Sequence, residues 1–247
     1  MFFNYQNNKI YYEVVGVGPS IIFLHGWGSS SQNFLNIIDD LIAKYKVILI
    51  DLPSFGNSPS FQNPPSIKDL HNLLDAFIKE LNIEKPIIVG HSYGGRIAIE
   101  YASKNKNISS LILIDSAGIK NNIIKNKLKV LIYKLKKRYY KLTKNYMKYQ
   151  NLITSSGSSD FKNASLIQKQ MLIKAVNYNQ KKLLKKIKCP TLIIFGENDL
   201  TVPLKDAYIF NKKIKNSGLV IIPNATHFPH IENEYYFKKV INTYLEV

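Results

Sequence analysis

The sequence predicts one α/β domain built on a mostly parallel β-sheet that helices cover on both faces. Short apolar runs, of the length of buried strands and far too short to cross a bilayer, alternate with longer stretches whose apolar residues recur every three or four positions. Such alternation of strands and helices is typical of parallel sheets with two buried faces. The length of 247 residues suits a single domain of this class.

The predicted elements follow one another along most of the chain. Apolar or alternating runs predict strands at residues 9–15, 21–24, 47–50, 87–89, 111–114, 192–195 and 219–222. Apolar residues at helical spacing predict helices at residues 31–43, 70–81, 96–103, 204–214 and 233–245. The first strand alternates like a half-exposed antiparallel strand, whereas the later runs are continuously apolar, as buried strands are.

The alternation stops between Ala117 and Lys188. There an apolar stripe with three- and four-residue steps predicts one long amphipathic helix, and its members are Leu128, Ile132, Leu135, Tyr139, Leu142, Tyr146 and Tyr149. Further helices are predicted within residues 164–186. We interpret the segment as a helical cap over residues 119–186, inserted in a core of residues 1–118 and 187–247. Phe161, Met171 and the leucines of the cap are candidates for lining a pocket under it.

The cap also carries the charge imbalance of the chain. Residues 119–188 contain 19 lysines and arginines against one acid, Asp160, so this segment has a net charge of +18 within a total of +17. A basic amphipathic helix could lie on an anionic membrane surface, attract nucleic acid or steer an acidic substrate such as an acyl group on a phosphopantetheine carrier. The favoured interpretation is compositional, because lysine, asparagine and isoleucine are abundant throughout. The cap tyrosines lie on the apolar stripe, so we predict that they pack above the pocket and that nucleic acid is not a partner.

Cys189 is the single cysteine, which excludes an intrachain disulfide and a cysteine-based metal site. The first residues lack the basic start and the apolar run of a secretory signal. These two features predict a reducing, cytoplasmic location.

The strongest chemical signal is the segment Gly90-His91-Ser92-Tyr93-Gly94-Gly95, which stands between the predicted strand 87–89 and the predicted helix 96–103. A strand, G-x-S-x-G and a helix in this order are typical of a nucleophile elbow, a sharp turn with a serine at its tip. Small residues are needed two positions before and after the serine because larger side chains would collide there. The helix aims its N-terminal amides at the place where negative charge develops. Ser92 is therefore predicted to be a nucleophile.

A serine nucleophile needs a base within hydrogen-bond reach, and the base needs a group that orients it. Asp199 follows the predicted strand 192–195, and His227 follows the predicted strand 219–222, which gives the chain order nucleophile, acid, base. Both loops fall at the edge of the sheet that carries the elbow. Asp115, at the end of its own strand, stays open as an alternative acid, and His230 stays open as an alternative base.

Taken together, these segments resemble the α/β-hydrolase superfamily over essentially the whole chain. Besides the elbow, the matching segments are His25-Gly26-Trp27-Gly28 and residues 51–58, 196–203 and 227–232. The resemblance implies an α/β-hydrolase fold with an eight-stranded, mostly parallel sheet, flanking helices and an inserted helical cap. It also implies that the backbone N–H groups of Trp27 and Tyr93 form an oxyanion hole. The sequence departs from the family at Ser54, where glycine is usual.

The predicted function is hydrolysis of a small carboxylic ester, thioester or lactone through an acyl-enzyme on Ser92, with His227 as general base and Asp199 as its orienting acid. No metal or organic cofactor is needed, and the predicted partner is a small-molecule acyl substrate. Hydrolysis of a carbon–carbon bond in a diketone, acyl transfer, and a non-catalytic binding role for the basic cap remain alternatives. Membrane-surface contact through the cap is a lesser alternative, and the oligomeric state stays open.

Overall fold

The computed structural model describes residues 1–120, 133, 135–143, 145–148 and 159–246. Their strands are β1 (Phe2–Tyr5), β2 (Asn8–Val15), β3 (Ser20–Leu24), β4 (Lys46–Ile50), β5 (Ile87–His91), β6 (Ser110–Ile114), β7 (Thr191–Gly196) and β8 (Ser217–Ile222). These form one sheet in the order β1-β2-β4-β3-β5-β6-β7-β8. β2 pairs antiparallel with β1 and β4, and all other neighbours pair parallel. The predicted eight-stranded, mostly parallel sheet is confirmed.

The structure contains the α-helices α1 (Ile67–Glu80), α2 (Tyr93–Lys104), α3 (Ser159–Asn163), α4 (Leu166–Asn177), α5 (Leu204–Lys213), α6 (Pro229–Glu232) and α7 (Glu234–Leu245). Residues 133, 135–142 and 146–148 are also helical. Short 3₁₀ helices span Ser31–Ile37 and Leu184–Lys186. Within the part of the chain that the structure describes, no helix has both the length and the apolar character that crossing a bilayer requires.

Outside residues 119–186, two elements differ from the sequence predictions. Residues 31–43 were predicted to form an α-helix, but the segment is a 3₁₀ helix over Ser31–Ile37 followed by turns. Ser31, Phe34 and Ile37 are its buried residues, and this three-residue spacing suits the tighter helix, in which such side chains eclipse. The edge strand β1 was missed because it has four residues, of which only Phe3 is buried.

The central strands are buried on both faces, which explains their continuous apolar sequences. In β3, all five residues are buried, and successive side chains enter two different clusters. Ile22 and Leu24 pack on the side of α1, α2 and α5, whereas Ile21 and Phe23 pack on the side of the 3₁₀ helix and α7. The carboxyl ends of the parallel strands therefore share one edge between two helical layers.

Between β6 and β7, residues 135–142 and 146–148 are helical, but Thr143 and Asn145 between them are not, so the described part of the predicted long helix is interrupted. Its apolar stripe does not pack as predicted either. Leu128, Ile132 and Tyr149 lie outside the described residues. The described members of the stripe are Leu135, Tyr139, Leu142 and Tyr146. Each is exposed to solvent over 57% to 72% of its surface. The prediction that the cap tyrosines pack above a pocket is wrong for Tyr139 and Tyr146, and the exposed Leu135 and Leu142 do not pack there either. Instead, α4 packs on the core, through Met171 and Ala175, which are almost completely buried.

The chain after α4 is attached to the helix α2 by a buried polar network. The Arg96 guanidinium donates to the carbonyl oxygen of Tyr178 at 3.0 Å, and the Gln180 amide donates to the carbonyl oxygen of Arg96 at 2.8 Å. The Tyr178 hydroxyl donates to the carboxylate of Glu100 at 2.9 Å. Arg96 therefore has the structural role in α2 of joining this segment to the core.

Candidate active site

Ser92 stands at a sharp turn between β5 and α2. Its φ of 50° and ψ of −106° lie outside the regions that side chains favour, and its N–H donates to the carbonyl oxygen of Ile114 at 3.0 Å. A Cβ on Gly94 would lie 2.0 Å from the carbonyl oxygen of Leu24. A Cβ on Gly90 would lie 2.7 Å from the Cα of Gly95. The glycines therefore permit the close packing that holds the turn, as expected for an elbow.

The structure brings Ser92, His227 and Asp199 together at the carboxyl edge of the sheet. Nε2 of His227 lies 2.9 Å from Oγ of Ser92, and Nδ1 lies 2.8 Å from Oδ2 of Asp199. An ionised carboxylate only accepts hydrogen bonds, so the proton of the neutral imidazole sits on Nδ1. Nε2 is then free to accept the hydroxyl proton of Ser92. The imidazole is 14% exposed and the carboxylate of Asp199 is fully buried.

Asp199 is held by the loop in which it lies. Its Oδ1 accepts hydrogen bonds from the amides of Thr201, at 2.6 Å, and Val202, at 3.0 Å. Burial alone would raise the pKa of this carboxyl, but the hydrogen bond and charge of His227, together with other hydrogen bonds, outweigh burial and lower the pKa below its ordinary value. Asp199 is therefore an ionised acceptor with a fixed orientation.

The loop that carries His227 is held from two sides. Glu232 accepts hydrogen bonds from the amide of Thr226 and from its hydroxyl, the latter at 2.6 Å. On the other side, Nε2–H of His91 donates to the carbonyl oxygen of His227 at 2.8 Å. Burial, followed by the charges of His230 and His227, lowers the pKa of His91 well below its ordinary value. His91 is thus a neutral donor that supports the backbone of His227.

Comparison with known proteins identifies the family. A family model described as alpha/beta hydrolase fold matches residues 19–140 and 120–234. The chain belongs to the α/β-hydrolase family. One curated relative, the pimeloyl-[acyl-carrier protein] methyl ester esterase of Wigglesworthia glossinidia brevipalpis, is 29% identical over 265 residues, which cover 96% of this chain and 97% of the relative.

Two further comparisons describe the range of the similarity. The 2-hydroxy-6-oxo-6-(2'-aminophenyl)hexa-2,4-dienoic acid hydrolase of Metapseudomonas resinovorans is 25% identical over 254 residues, covering 95% of this chain and 86% of the relative. Among solved structures, an esterase from Exiguobacterium antarcticum has the same fold with a TM-score of 0.77 and 22% identity, covering 97% of this chain and 96% of that one.

In this α/β hydrolase, the loop after β3 is fixed by His25. Nδ1–H of His25 donates to the carbonyl oxygen of Gly26 at 2.7 Å, and Nε2 accepts from the amide of Leu52 at 2.9 Å. Burial lowers the pKa of His25 to about 4, which keeps the ring neutral and this tautomer in place. The ring therefore joins the loops that follow β3 and β4, next to Trp27.

Trp27 connects that loop to the helix α4. Its indole N–H donates to the carbonyl oxygen of Gln168 at 3.0 Å, and its ring lies 6.2 Å from that of Phe161. The side-chain amide of Gln168 in turn donates to the carbonyl oxygen of Ser54 at 2.7 Å. Ser54 has a φ of 74°, the conformation for which glycine is usual.

Gln168 was not predicted from the sequence. The available signal was the pattern Ser165-x-x-Gln168, a capping box that indicates the start of a helix and that the structure contains. This pattern places α4 in the sequence, but it carries no information on the contact with Trp27. Phe161, in contrast, was predicted as a pocket residue and lies against the Trp27 ring.

Tyr93 is the first residue of α2, so its amide is among the N-terminal amides that have no partner within the helix. Its side chain is buried, and burial raises the pKa of the phenol above its ordinary value. Within the described residues, the phenol oxygen has no hydrogen-bond partner. The predicted place of Tyr93 in the oxyanion hole is that of its backbone amide.

His230 and Asp115, the alternative base and acid, lie outside the hydrogen-bonded group of the proposed catalytic residues. His230 is fully buried, its ring stacks on Phe34 with centroids 5.4 Å apart, and neither ring nitrogen has a partner in the described part of the chain. Asp199 makes the hydrogen bond to His227, while Asp115 lies behind Asp199. The geometry thus favours His227 over His230 and Asp199 over Asp115.

One group of side chains in the described residues has donor atoms close enough together for a metal ion. A carboxylate oxygen of Asp115, one of Asp199 and a ring nitrogen of His227 lie within 4.8 Å of one another. Both ring nitrogens of His227 already face partners, Asp199 and Ser92. This arrangement suits proton transfer better than metal binding.

Proposed function

We propose that this α/β hydrolase is a serine esterase in which Ser92 is the nucleophile, His227 the general base and Asp199 the acid that orients it. The observation that carries the proposal is the continuous pair of hydrogen bonds, at 2.8 and 2.9 Å, from Asp199 through His227 to Ser92. The esterase names of curated relatives that align over nearly the whole chain support the same activity.

The proposed reaction is acyl transfer to water in two steps. Oγ of Ser92 attacks the ester carbonyl carbon while Nε2 of His227 takes the hydroxyl proton, and Asp199 keeps the other proton on Nδ1. The amides of Trp27 and Tyr93 bind the oxyanion, each such donor contributing roughly 2.7–4 kcal/mol. The alcohol leaves with the proton from His227. Water then attacks the acyl-enzyme by the same route and restores Ser92.

A methyl ester of an acyl chain on a carrier protein is the substrate that we propose within this class. Curated relatives from several bacteria carry the name pimeloyl-[acyl-carrier protein] methyl ester esterase. The net charge of +18 in residues 119–188 would attract the anionic phosphate of a phosphopantetheine arm.

We also propose that the chain divides into a core of residues 1–118 and 187–247 and a cap of residues 119–186.

We further propose a cytoplasmic location. Cys189, the single cysteine, is half-buried, and burial raises the pKa of its thiol, so it stays a protonated packing residue. A chain without disulfides suits a reducing compartment.

Hydrolysis of a carbon–carbon bond is the second candidate. It is favoured by one observation, the similarity over 95% of the chain to the hexadienoic acid hydrolase of Metapseudomonas resinovorans. The same serine, histidine and aspartate would serve that reaction. The esterase names are the more numerous among the relatives described, so ester hydrolysis is the first candidate.

A fluorophosphonate probe tests the nucleophile, and a substrate panel tests the bond that is cleaved. We expect the parent and Ser109→Ala, a change at an exposed serine, to be labelled and Ser92→Ala to remain unlabelled. In the panel, dicarboxylic acid methyl esters should have a higher kcat/KM than thioesters, lactones or diketones. Labelling of Ser92→Ala contradicts the assignment of Ser92, and cleavage of diketones without cleavage of any ester contradicts the esterase.

A further inference from the structure

A second carboxyl group, that of Asp115, lies behind the proposed catalytic residues. Asp115 follows β6 directly, its side chain is fully buried and its φ is 39°, in the left-handed region. Its N–H donates to the carbonyl oxygen of Ile194 at 2.8 Å, and its Oδ1 accepts from the amide of Gly196 at 3.0 Å. Hydrogen bonds to the neighbouring strand β7 thus fix this residue in a backbone conformation that is unfavourable for most side chains.

The other oxygen of Asp115 has no ordinary hydrogen bond. Within the described residues, no hydrogen-bond donor pairs with Oδ2. A carboxylate oxygen of Asp199 and a ring nitrogen of His227 lie within 4.8 Å of the Asp115 carboxyl group. Asp199, the acid of the proposed active site, is therefore an acceptor close to the Asp115 carboxyl group.

Two buried carboxyl groups at this separation do not both ionise, because neither charge is solvated and the two charges repel each other. Asp199 has hydrogen bonds from His227, Thr201 and Val202, whereas Asp115 has one from Gly196. The negative charge is therefore stabilised on Asp199. Burial, followed by the interaction with Asp199, raises the pKa of Asp115 to about 9.

We propose that Asp115 is a positioning residue, a neutral carboxylic acid whose Oδ2–H points toward the Asp199 carboxylate and holds it against His227. Oδ1 already accepts a hydrogen bond from Gly196, which leaves Oδ2 to carry the proton. The inference rests on the proposed roles of Asp199 and His227. It also explains why an acid is buried at this position, where a carboxyl group without a hydrogen-bond partner would lower the stability of the fold.

Carbon-13 NMR of protein labelled at the aspartate carboxyl carbons measures the protonation state directly. At pH 7 we expect one aspartate carboxyl resonance at the position of the protonated acid, titrating near pH 9. It should disappear in Asp115→Asn and persist in the control Asp75→Asn, a change at a partly exposed helical acid. Overturning results are a parent spectrum with every aspartate ionised at pH 7, or persistence of the resonance in Asp115→Asn. The parent spectrum is decisive even where the variant does not fold.

The pH profile of kcat separates positioning from simple packing. The groups that face Asp115 are Asp199, His227, Glu232 and the amide of Gly196. Above about pH 9, ionised Asp115 would add a second negative charge beside Asp199, so we expect the kcat of the parent to fall there. Asp115→Leu, without a donor, should lower kcat about tenfold with little change in KM.

Asp115→Asn supplies the matched variant, since its amide donates a hydrogen bond but does not ionise. It should recover most of the kcat that Asp115→Leu loses and should show no decline near pH 9. Equal kcat values for both variants, or a decline near pH 9 in Asp115→Asn, overturns the proposal. The NMR result does not depend on activity. If Ser92→Ala remained active, the esterase assignment would fail while the protonation of Asp115 stayed measurable.

Discussion

The Oγ of Ser92 and the Nε2 of His227 lie 2.9 Å apart, although 135 residues separate them in the chain. This distance suits direct transfer of the hydroxyl proton to the imidazole. Each side chain reaches its place through a different constraint. Ser92 depends on a glycine-lined turn, and His227 depends on a loop that Glu232 and His91 hold.

Removing either side chain of this pair should abolish nearly all of the catalytic activity. We expect Ser92→Ala and His227→Ala each to lower kcat for an ester by about 10⁴-fold or more, because residues that act as a unit have strongly non-additive effects. The double variant should be little slower than either single variant. Initial rates on a methyl ester provide the measurement. Circular dichroism should show the parent's helix content in all three, and a double variant slower by the product of both effects would contradict direct coupling.

The elbow should tolerate no side chain at Gly94. Gly94→Ala would place a Cβ 2.0 Å from the carbonyl oxygen of Leu24, so backbone must move. We expect destabilisation of more than about 3 kcal/mol, or failure to fold, by comparison with measured costs of overpacking. Gly218→Ala is the control, because a Cβ there meets nothing within 4 Å. Urea unfolding measures both variants, and equal stability would show that the turn relaxes freely.

The indole of Trp27 should matter for substrate turnover through its contact with α4. Trp27→Phe removes the 3.0 Å hydrogen bond to the carbonyl oxygen of Gln168 and keeps an aromatic ring. The loss of one such bond costs about 1 kcal/mol. If that energy holds α4 against the loop that carries Trp27, kcat/KM should fall about fivefold. Tyr208→Phe, an exposed change on α5, is the control, and an unchanged kcat/KM in Trp27→Phe argues against the coupling.

The buried ring of His230 should destabilise the protein in acid. Burial, followed by the charge of His227, lowers the pKa of His230 to about 3, from an ordinary value of 6.5. As the pH falls from 6.5 toward 3, the unfolded chain binds a proton that the folded protein does not, so stability decreases.

His230→Phe keeps the stack on Phe34 and removes two nitrogens that lack hydrogen-bond partners within the described residues. We expect the variant to be more stable than the parent by about 1–3 kcal/mol near neutral pH, the usual cost of unpaired buried polar groups. Its advantage should grow as the pH falls to 5. Urea unfolding at pH 7.5 and pH 5 measures this, and an advantage that shrinks in acid would show that the folded protein protonates His230.

Local sequence patterns predicted most of the sheet but little of the cap. The run 21–24 predicted β3, observed at Ser20–Leu24, because a strand buried on both faces is apolar at every position. The same logic failed for β1, a short edge strand with one buried residue. The periodicity near Leu135 and Tyr139 predicted a helix, but periodicity alone does not say what a face packs against, and these two residues are exposed.

The sequence by itself determined the α/β class and the strained serine turn, since both follow from short-range effects, namely the apolar runs and the glycines around Ser92. Only the tertiary structure decided that Asp199 rather than Asp115 contacts His227, and that Trp27 contacts Gln168. Those choices depend on the order in which β5, β6, β7 and β8 lie side by side. The positions of the two carboxyl groups relative to His227 depend on packing across the sheet. Such packing joins residues that are far apart in the chain, so local sequence patterns do not predict it.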